Sequence, residues 1–410
     1  MWNKPWRLAE GFTVGAGLLL TGMLLQLTTG AIDWSAFAWP INLILLCGYL
    51  LFIGIIYAFH VKVYFFRWLS HYTSVIPALT YAVVLTLIMG VTKQVPDGHP
   101  ANDPIGFTRM LSFWPFVLMY LWITTILGLA ILKHLSSFKL KEIPFLLNHL
   151  GLFIALVSAT LGSADMQRLT MTTRIGQPEW RAADAQGNLH ELPLAIELES
   201  FDIDEYPPKL MMISNESGMP LPKGKPENLL LEKGFKQGKL LNWNIRVEKI
   251  LPLAASVMNG DTVHFVEWPS MGATCAAYIV ASNQSGEIRK EGWVSCGSFL
   301  FPFNALRLND KFSVVMPERE PERFTSNVII YTKSGKEMKA DIEVNKPFNV
   351  EGWKIYQLSY DETKGKWSDI SILELVSDPW LPFVYAGIGM LLLGAVCMFV
   401  TAGKQKEAEP

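Results

Sequence analysis

Residues 11–31 read GFTVGAGLLLTGMLLQLTTGA, a run without a charged side chain. A bilayer core takes about 20 apolar residues per helix. Each backbone polar group inside it must be satisfied internally, so a run of this length reads as a membrane-crossing helix. Five more runs read the same way: Pro40–Phe59, Ser74–Thr92 with Pro77 near its entry, Met110–Leu132 with Pro115 and several aromatics, Pro144–Gly162 and Pro379–Thr401. The first run follows Lys4 and Arg7, as a signal peptide would. It is longer than a usual signal h-region and no clean A-x-A site follows, so it is expected to remain as an anchor.

Lys and Arg in short loops set orientation. They occur at the N-terminus (Lys4, Arg7), after the second run (Lys62, Arg67), after the fourth (Lys133, Lys139, Lys141) and in the tail (Lys404, Lys406). The alternate side is poorer: residues 31–39 hold none, and 93–109 hold only Lys93 and Arg109 at their edges. Both termini are therefore expected in the cytoplasm, with the stretch from Asp165 to Asp378 outside. Trp34, Trp39 and Trp380 stand where interfacial aromatics belong.

The outer stretch has a β pattern. Alternating runs recur at Leu194–Glu199, Trp243–Glu248, Ala276–Val280, Asn327–Tyr331, Trp353–Leu358 and Ile370–Leu375, separated by turns such as Ser334-Gly335 and Glu351-Gly352. Short strands joined by turns favour a sandwich or an open barrel. The expected fold class is a membrane α-helical bundle of six transmembrane helices with a large all-β extracytoplasmic domain between the fifth and sixth. Its parts are an N-terminal transmembrane hairpin with a cytoplasmic loop (1–72), a three-helix region (73–164), the β-rich domain (165–378), and a final helix with a short cytoplasmic tail (379–410).

A net charge of −2 over 410 residues, with no basic stripe, gives nucleic acid no electrostatic footprint. The four cysteines, Cys47, Cys275, Cys296 and Cys397, form no C-x-x-C pair. No G-x-S-x-G, Walker loop, dinucleotide-binding glycine pattern or H-E-x-x-H spacing occurs, and cofactor binding or assembly fits this better than catalysis. The residue that stands out is His149, in Asn148-His149-Leu150-Gly151, about one and a half turns into an apolar helix. A titratable group there usually faces a protein interior, a cavity or a ligand, and imidazole ligates haem iron. The plainer reading is a histidine hydrogen-bonded to the interface or to a neighbouring helix. His60, His71 and His134 fall near cytoplasmic helix ends and read as anchors; His99, His190 and His264 are isolated.

Three ordered patches, Asp341–Phe348 with Asn345 and Pro347, Gly352–Tyr360 with Tyr356-Gln357, and Asp378-Pro379 leading into Tyr385-Ala-Gly387, resemble the ResB (CcsB) family of cytochrome c biogenesis proteins. The His149-containing helix ahead of the outer domain looks like that family's histidine helix. From about Glu199 to Phe324 the likeness is loose. The usual family plan has three helices before the domain; here five precede it, which makes the first hairpin extra. The resemblance implies a subunit of a system II haem-attachment complex, not an enzyme by itself. It implies transient haem b shared with a CcsA/ResC-like partner bearing a WWD motif, delivery to apocytochrome c, and room for a thiol-reducing partner. It carries the haem-iron ligand onto His149 alone. The competing readings are a membrane-anchored β-domain sensor or interaction module without haem, for which six helices are excessive, and a secondary transporter, against which the large β domain weighs.

Cys275 and Cys296 flank a hairpin whose turn is Asn283–Gly286. Their midpoint falls in that turn, so a symmetric register sets them opposite each other. Opposed residues bring Cβ atoms to about 4.5–5.5 Å, close to what a disulfide needs, and an oxidising compartment would let the bond persist. A Cys275–Cys296 disulfide is expected.

Overall fold

The computed structural model describes residues 2–95, 103, 105–260 and 262–407, of 401–407 the backbone alone. The α-helices are α1 (Leu8–Thr29), α2 (Ile41–Phe59), α3 (Tyr64–Leu69), α4 (Tyr72–Val91), α5 (Trp114–Ser136), α6 (Ile143–Gly162) and α7 (Leu381–Glu407). All but α3 are long and apolar enough to cross a membrane, and each coincides with one of the six apolar runs. The last continues past the expected end at Thr401, to Glu407. The strands that follow α6 are β1 (Gln167–Arg174), β2 (Glu179–Ala183), β3 (Leu189–Glu205), β4 (Lys209–Ser214), β5 (Asn228–Leu230), β6 (Gln237–Leu240), β7 (Trp243–Asn259), β8 (Thr262–Glu267) and β9 (Thr274–Asn283). They continue as β10 (Arg289–Ser295), β11 (Leu306–Arg307), β12 (Phe312–Val315), β13 (Pro321–Thr332), β14 (Glu337–Glu343), β15 (Phe348–Val350), β16 (Trp353–Tyr360) and β17 (Ile370–Ser377). Two compact units result: a helical unit of residues 1–168 with 376–410, and a β unit of 169–375.

The helical unit is held by close backbone approach. Helix α1 buries little beyond Glu10, Gly11, Gly15, Gly22 and Gln26. Its glycines meet α4 at Thr73, Pro77 and Tyr81, and meet α5 at Pro115. Helices α6 and α7 run antiparallel with a seven-residue step, two helical turns. Gly162 lies against Trp380, Ala155 and Gly151 against Gly387, and Asn148 against Gly394. A Cβ on Gly387 would stand 2.6 Å from Ala155 N, a separation that no packing tolerates. Small residues at such contacts let apolar helices associate where lipid competes for every larger side chain. The Asn148 Nδ2–H donates to Leu391 O at 3.2 Å across the same seam.

In the β unit an eight-stranded sheet runs β14-β13-β3-β2-β1-β17-β16-β15. It curls until β14 approaches β15 and β16. One core fills the curl, with Ile196, Leu198, Ile330, Ile342, Ile355 and Leu373 fully buried. A second core lies between the sheet β10-β9-β7-β6, with β8 on β7, and the four-stranded sheet β11-β12-β4-β5. The unit thus combines a curled sheet with a small sandwich. All six alternating runs of the sequence are strands here.

Gly387→Val should force α6 and α7 apart and lower the stability of the detergent-solubilised protein by about 1–3 kcal/mol. Gly389→Val, on the same helix where an added Cβ meets nothing within 4 Å, should leave the thermal melt unchanged. Equal melts for the two variants would contradict the close-packed seam.

Candidate functional site

The first turn of α6 carries Pro144, where a missing N–H costs no helical bond. One turn further, His149 is half-buried and its ring stacks on Phe145 at 3.7 Å and 21°. Its Nδ1 lies 3.0 Å from Phe145 O. A carbonyl can only accept, so Nδ1 carries the proton, and the neutral ring keeps its lone pair on Nε2. The Phe145 ring in turn lies 4.0 Å from His134 at the end of α5, and His134 Nδ1 pairs with Glu142 at 2.7 Å. A His134–Phe145–His149 stack, clamped by Glu142, therefore orients the imidazole. The i, i+4 spacing of Phe145 and His149 is visible in sequence; the His134 contact, made across the α5–α6 turn, is not.

The remaining histidines are engaged locally. His60 hydrogen-bonds Tyr57 O and stacks on the Tyr57 ring. His71 caps α4 through Thr73. His190 pairs with Asp184 and His264 contacts Thr262. His99 lies outside the described residues. Among the described residues no three His, Cys, Asp or Glu side chains gather as a metal site.

Two other features of the helical unit leave no mark in the local sequence. A cavity of about 810 Å³ lies among α2, α6 and α7, lined by Leu43, Leu46, Leu150, Phe153, Val157 and Phe383 among others. His149 is not part of its wall, so ring and cavity are separate features of α6. At the rim stands Asp165, just beyond α6. It accepts from Trp39 N at 2.7 Å, Asn42 Nδ2 at 2.7 Å and Trp380 Nε1 at 2.7 Å. Partial burial opposes its ionisation, but these three donors outweigh it and hold the carboxyl below its ordinary 3.8.

In the β unit the hairpin register is as expected. Ser295 faces Ala276, and the next pair is Cys296 with Cys275, joined by Cys296 N donating to Cys275 O at 3.3 Å. Both cysteines are free thiols in this structure. The Cys296 Sγ is directed at Cys275 O, 3.7 Å away, and at Gly297 O, 3.5 Å away.

The residues that carry the family resemblance are structural in their contacts. Asn345 takes a φ of +64° in the turn between β14 and β15, where Asn is tolerated. Glu351 and Gly352 both have positive φ in the two-residue turn joining β15 to β16. Gln357 is buried in the curl, accepting from Ser326 and Ser371 and donating to Ser359 O at 2.9 Å. Asp378 accepts from Trp380 N and Leu381 N at 3.1 and 3.0 Å and caps α7. Gly387, on α7, is the position that packs closely against α6.

Six helices long and apolar enough to cross a membrane, joined to an all-β unit, define the class. Residues 280–372 match the ResB-like family, a stretch of the β unit that runs from the end of β9 into β17. The match takes in Asn345, Pro347 and Tyr356-Gln357, extends back over β10 to β13, and ends before Asp378; His149 lies outside it. No curated protein matches the chain.

Asp165→Asn should cost about 2 kcal/mol at neutral pH, since it weakens charge-assisted hydrogen bonds. The lowered carboxyl contributes stability in full above its ordinary 3.8, and loses it as pH falls through the lower folded value. Thermal melts of wild type and variant should therefore differ at neutral pH and converge on acidification below 3.8. A gap that persists into strong acid would contradict an ionised latch.

Proposed function

We propose that this chain is a ResB-type subunit of a system II cytochrome c maturation complex in a bacterial cytoplasmic membrane. It helps move haem b across the bilayer and presents it for covalent attachment to apocytochrome c. The observation that carries the reading is the ResB-like match over residues 280–372. The partner is a CcsA/ResC-like membrane protein with a WWD motif.

His149 is the residue through which this chain would hold haem in transit. Haem would supply an iron that a neutral imidazole can ligate. The side chain is suited to that role, because Phe145 O fixes the protonated nitrogen as Nδ1 and leaves Nε2 with a lone pair. A ring N–H held by a carbonyl is the usual support of a metal-binding histidine. Phe145 and the His134–Glu142 pair set the ring plane.

The helix contacts support the sidedness that the Lys/Arg bias predicts. Lys4 and Arg67 both lie over the Tyr64 ring, and Trp6 N donates to Tyr64 OH at 2.6 Å. The Tyr57 hydroxyl meets Ser136 at 2.5 Å. The basic N-terminus and the loops after α2 and α5 thus share one end of the bundle. The basic-poor loop after α1 is tied to the residues ahead of α5 through Ile32 N and Ser112 O at 2.9 Å, and to Asp165 through Trp39.

Alkaline-phosphatase fusions after Thr170 should be active and those after Lys139 inactive; the reverse would overturn the orientation. His149→Ala should lower haem copurifying with the complex by about tenfold or more while the protein level holds. Yield of c-type cytochrome should fall with it, and added imidazole should restore part by occupying the vacated position. Unchanged haem content would leave His149 a packing residue.

A further inference from the structure

The Cys275–Cys296 pair opens onto a cleft of about 440 Å³ in the β unit. The ends of β9 and β10 form its floor, and Trp367, whose Nε1 donates to Ala273 O at 3.3 Å, closes one wall. On another wall the Glu205 carboxylate bridges Arg319 at 2.8 Å and Lys366 at 3.2 Å. The chain leaving Cys296 is Gly297-Ser-Phe-Leu-Phe-Pro-Phe303. Gly297 has a φ of +77°, and a Cβ there would meet Phe303 N at 2.8 Å, so the loop turns tightly beside the thiols. Ser298 N donates to Phe301 O at 2.8 Å and fixes it. This ordered loop nevertheless shows apolar surface: Phe303 is 66% exposed, Leu300 52% and Phe299 41%. Two opposed cysteines on a cleft floor thus have an apolar shelf at the cleft's edge.

We propose that Cys275 and Cys296 form a thiol–disulfide exchange site for a peptide that carries a disulfide among apolar side chains. The two sulfurs have different roles. Both cysteines line the cleft, but Cys296 is only half-buried, which makes it the sulfur that meets the substrate. Cys275 is buried; that burial, and then Cys296 beside it, push its thiol up to about 12. A thiol so held stays protonated and does not initiate exchange. The Cys296 thiolate attacks one sulfur of the substrate disulfide, forms a mixed disulfide and expels one substrate thiol. Cys275 then gives up its proton and attacks the Cys296 sulfur. The Cys275–Cys296 bond forms and the second substrate thiol leaves. Two electrons and two protons pass from the pair to the substrate, and the reverse reaction regenerates the thiols. Residues directly opposed in an antiparallel pair have Cα atoms about 4.5–5.5 Å apart, inside the span that a disulfide bridges. The buried product is neutral, so the apolar surroundings do not oppose it.

The site does not rest on haem handling, and the test reads no haem. The full-length protein is reduced in detergent and desalted. One portion is incubated with glutathione disulfide, another with a synthetic peptide disulfide flanked by Phe and Leu. Alkylation and mass spectrometry without reductant follow. The wild type should yield linked Cys275 and Cys296 peptides with both reagents, about tenfold faster with the apolar peptide, since burying one aromatic side chain supplies the corresponding free energy. Phe303→Ser, at an exposed position, should remove that preference and leave the glutathione rate unchanged. Cys275→Ser should trap the mixed disulfide on Cys296, and Cys296→Ser should trap none. A wild type that keeps two alkylatable thiols with both reagents overturns the proposal, as does an adduct that forms on Cys275. Equal rates with the two reagents overturn the peptide substrate.

Discussion

The helical unit depends on the approach of α7 to α6. In hydrocarbon, an apolar side chain gains little by leaving lipid for another helix, so association must come from close packing and from polar contacts. Here the sequence supplies both. Trp380, just ahead of α7, and Gly387 and Gly394 on it recur at seven-residue intervals and fall against Gly162, Gly151 with Ala155, and Asn148 on α6. Polar contacts fasten the seam at each end: Asn148 to Leu391 O, and Asp165 to Trp380. Asp165 also binds Trp39 and Asn42, which draws the start of α2 to the same point. More than 200 residues of β unit separate α6 from α7 in the chain. Loop-closure entropy grows only slowly with such a length, so a specific seam can offset it.

That seam fixes how α6 is turned. Asn148, Gly151, Ala155 and Gly162 face α7, and successive residues on a helix are rotated by about 100°. His149 is therefore carried off the seam, onto the flank where it stacks on Phe145. The motif residues divide in the same way. Asn345, Gly352, Gln357, Asp378 and Gly387 serve a turn, a second turn, a buried hydrogen-bond network, a helix cap and a helix contact. Of these, Asn345, Gly352 and Gln357 fall within the ResB-like match; none of the five lines the cysteine cleft.

What could be read from sequence followed the strength of the local signal. The apolar runs gave the six long helices because length and absence of charge are local properties. The six alternating runs gave strands for the same reason, and the hairpin register followed from turn position. The assembly of the sheets was not legible. Strands β3 and β7 are 17 residues long and pair with two or more neighbours through bulges, as at Asn327/Val328 opposite β3. Their extra residues break the alternation from which a register is read. Short strands such as β5, β11 and β15 are too brief to show any alternation. The Asp165 latch joins residues distant in the chain and the His134 contact crosses the α5–α6 turn, and nothing in the sequence around either announces them.

The two readings of His149 differ in what they leave unsatisfied. Phe145 O already receives a backbone hydrogen bond in the helix, and the imidazole Nδ1–H shares that carbonyl, so the ring's donor is provided for locally. A histidine kept only for packing would also need a donor for Nε2. Among the described residues, none bonds to it. His149 is half-buried and close to the helix end, and its Nε2 is not among the buried side-chain atoms left without a partner. On the packing reading solvent meets that nitrogen; on the proposed ligand reading a metal does. The local hydrogen bond at Nδ1 serves both, so the two readings divide on Nε2 alone.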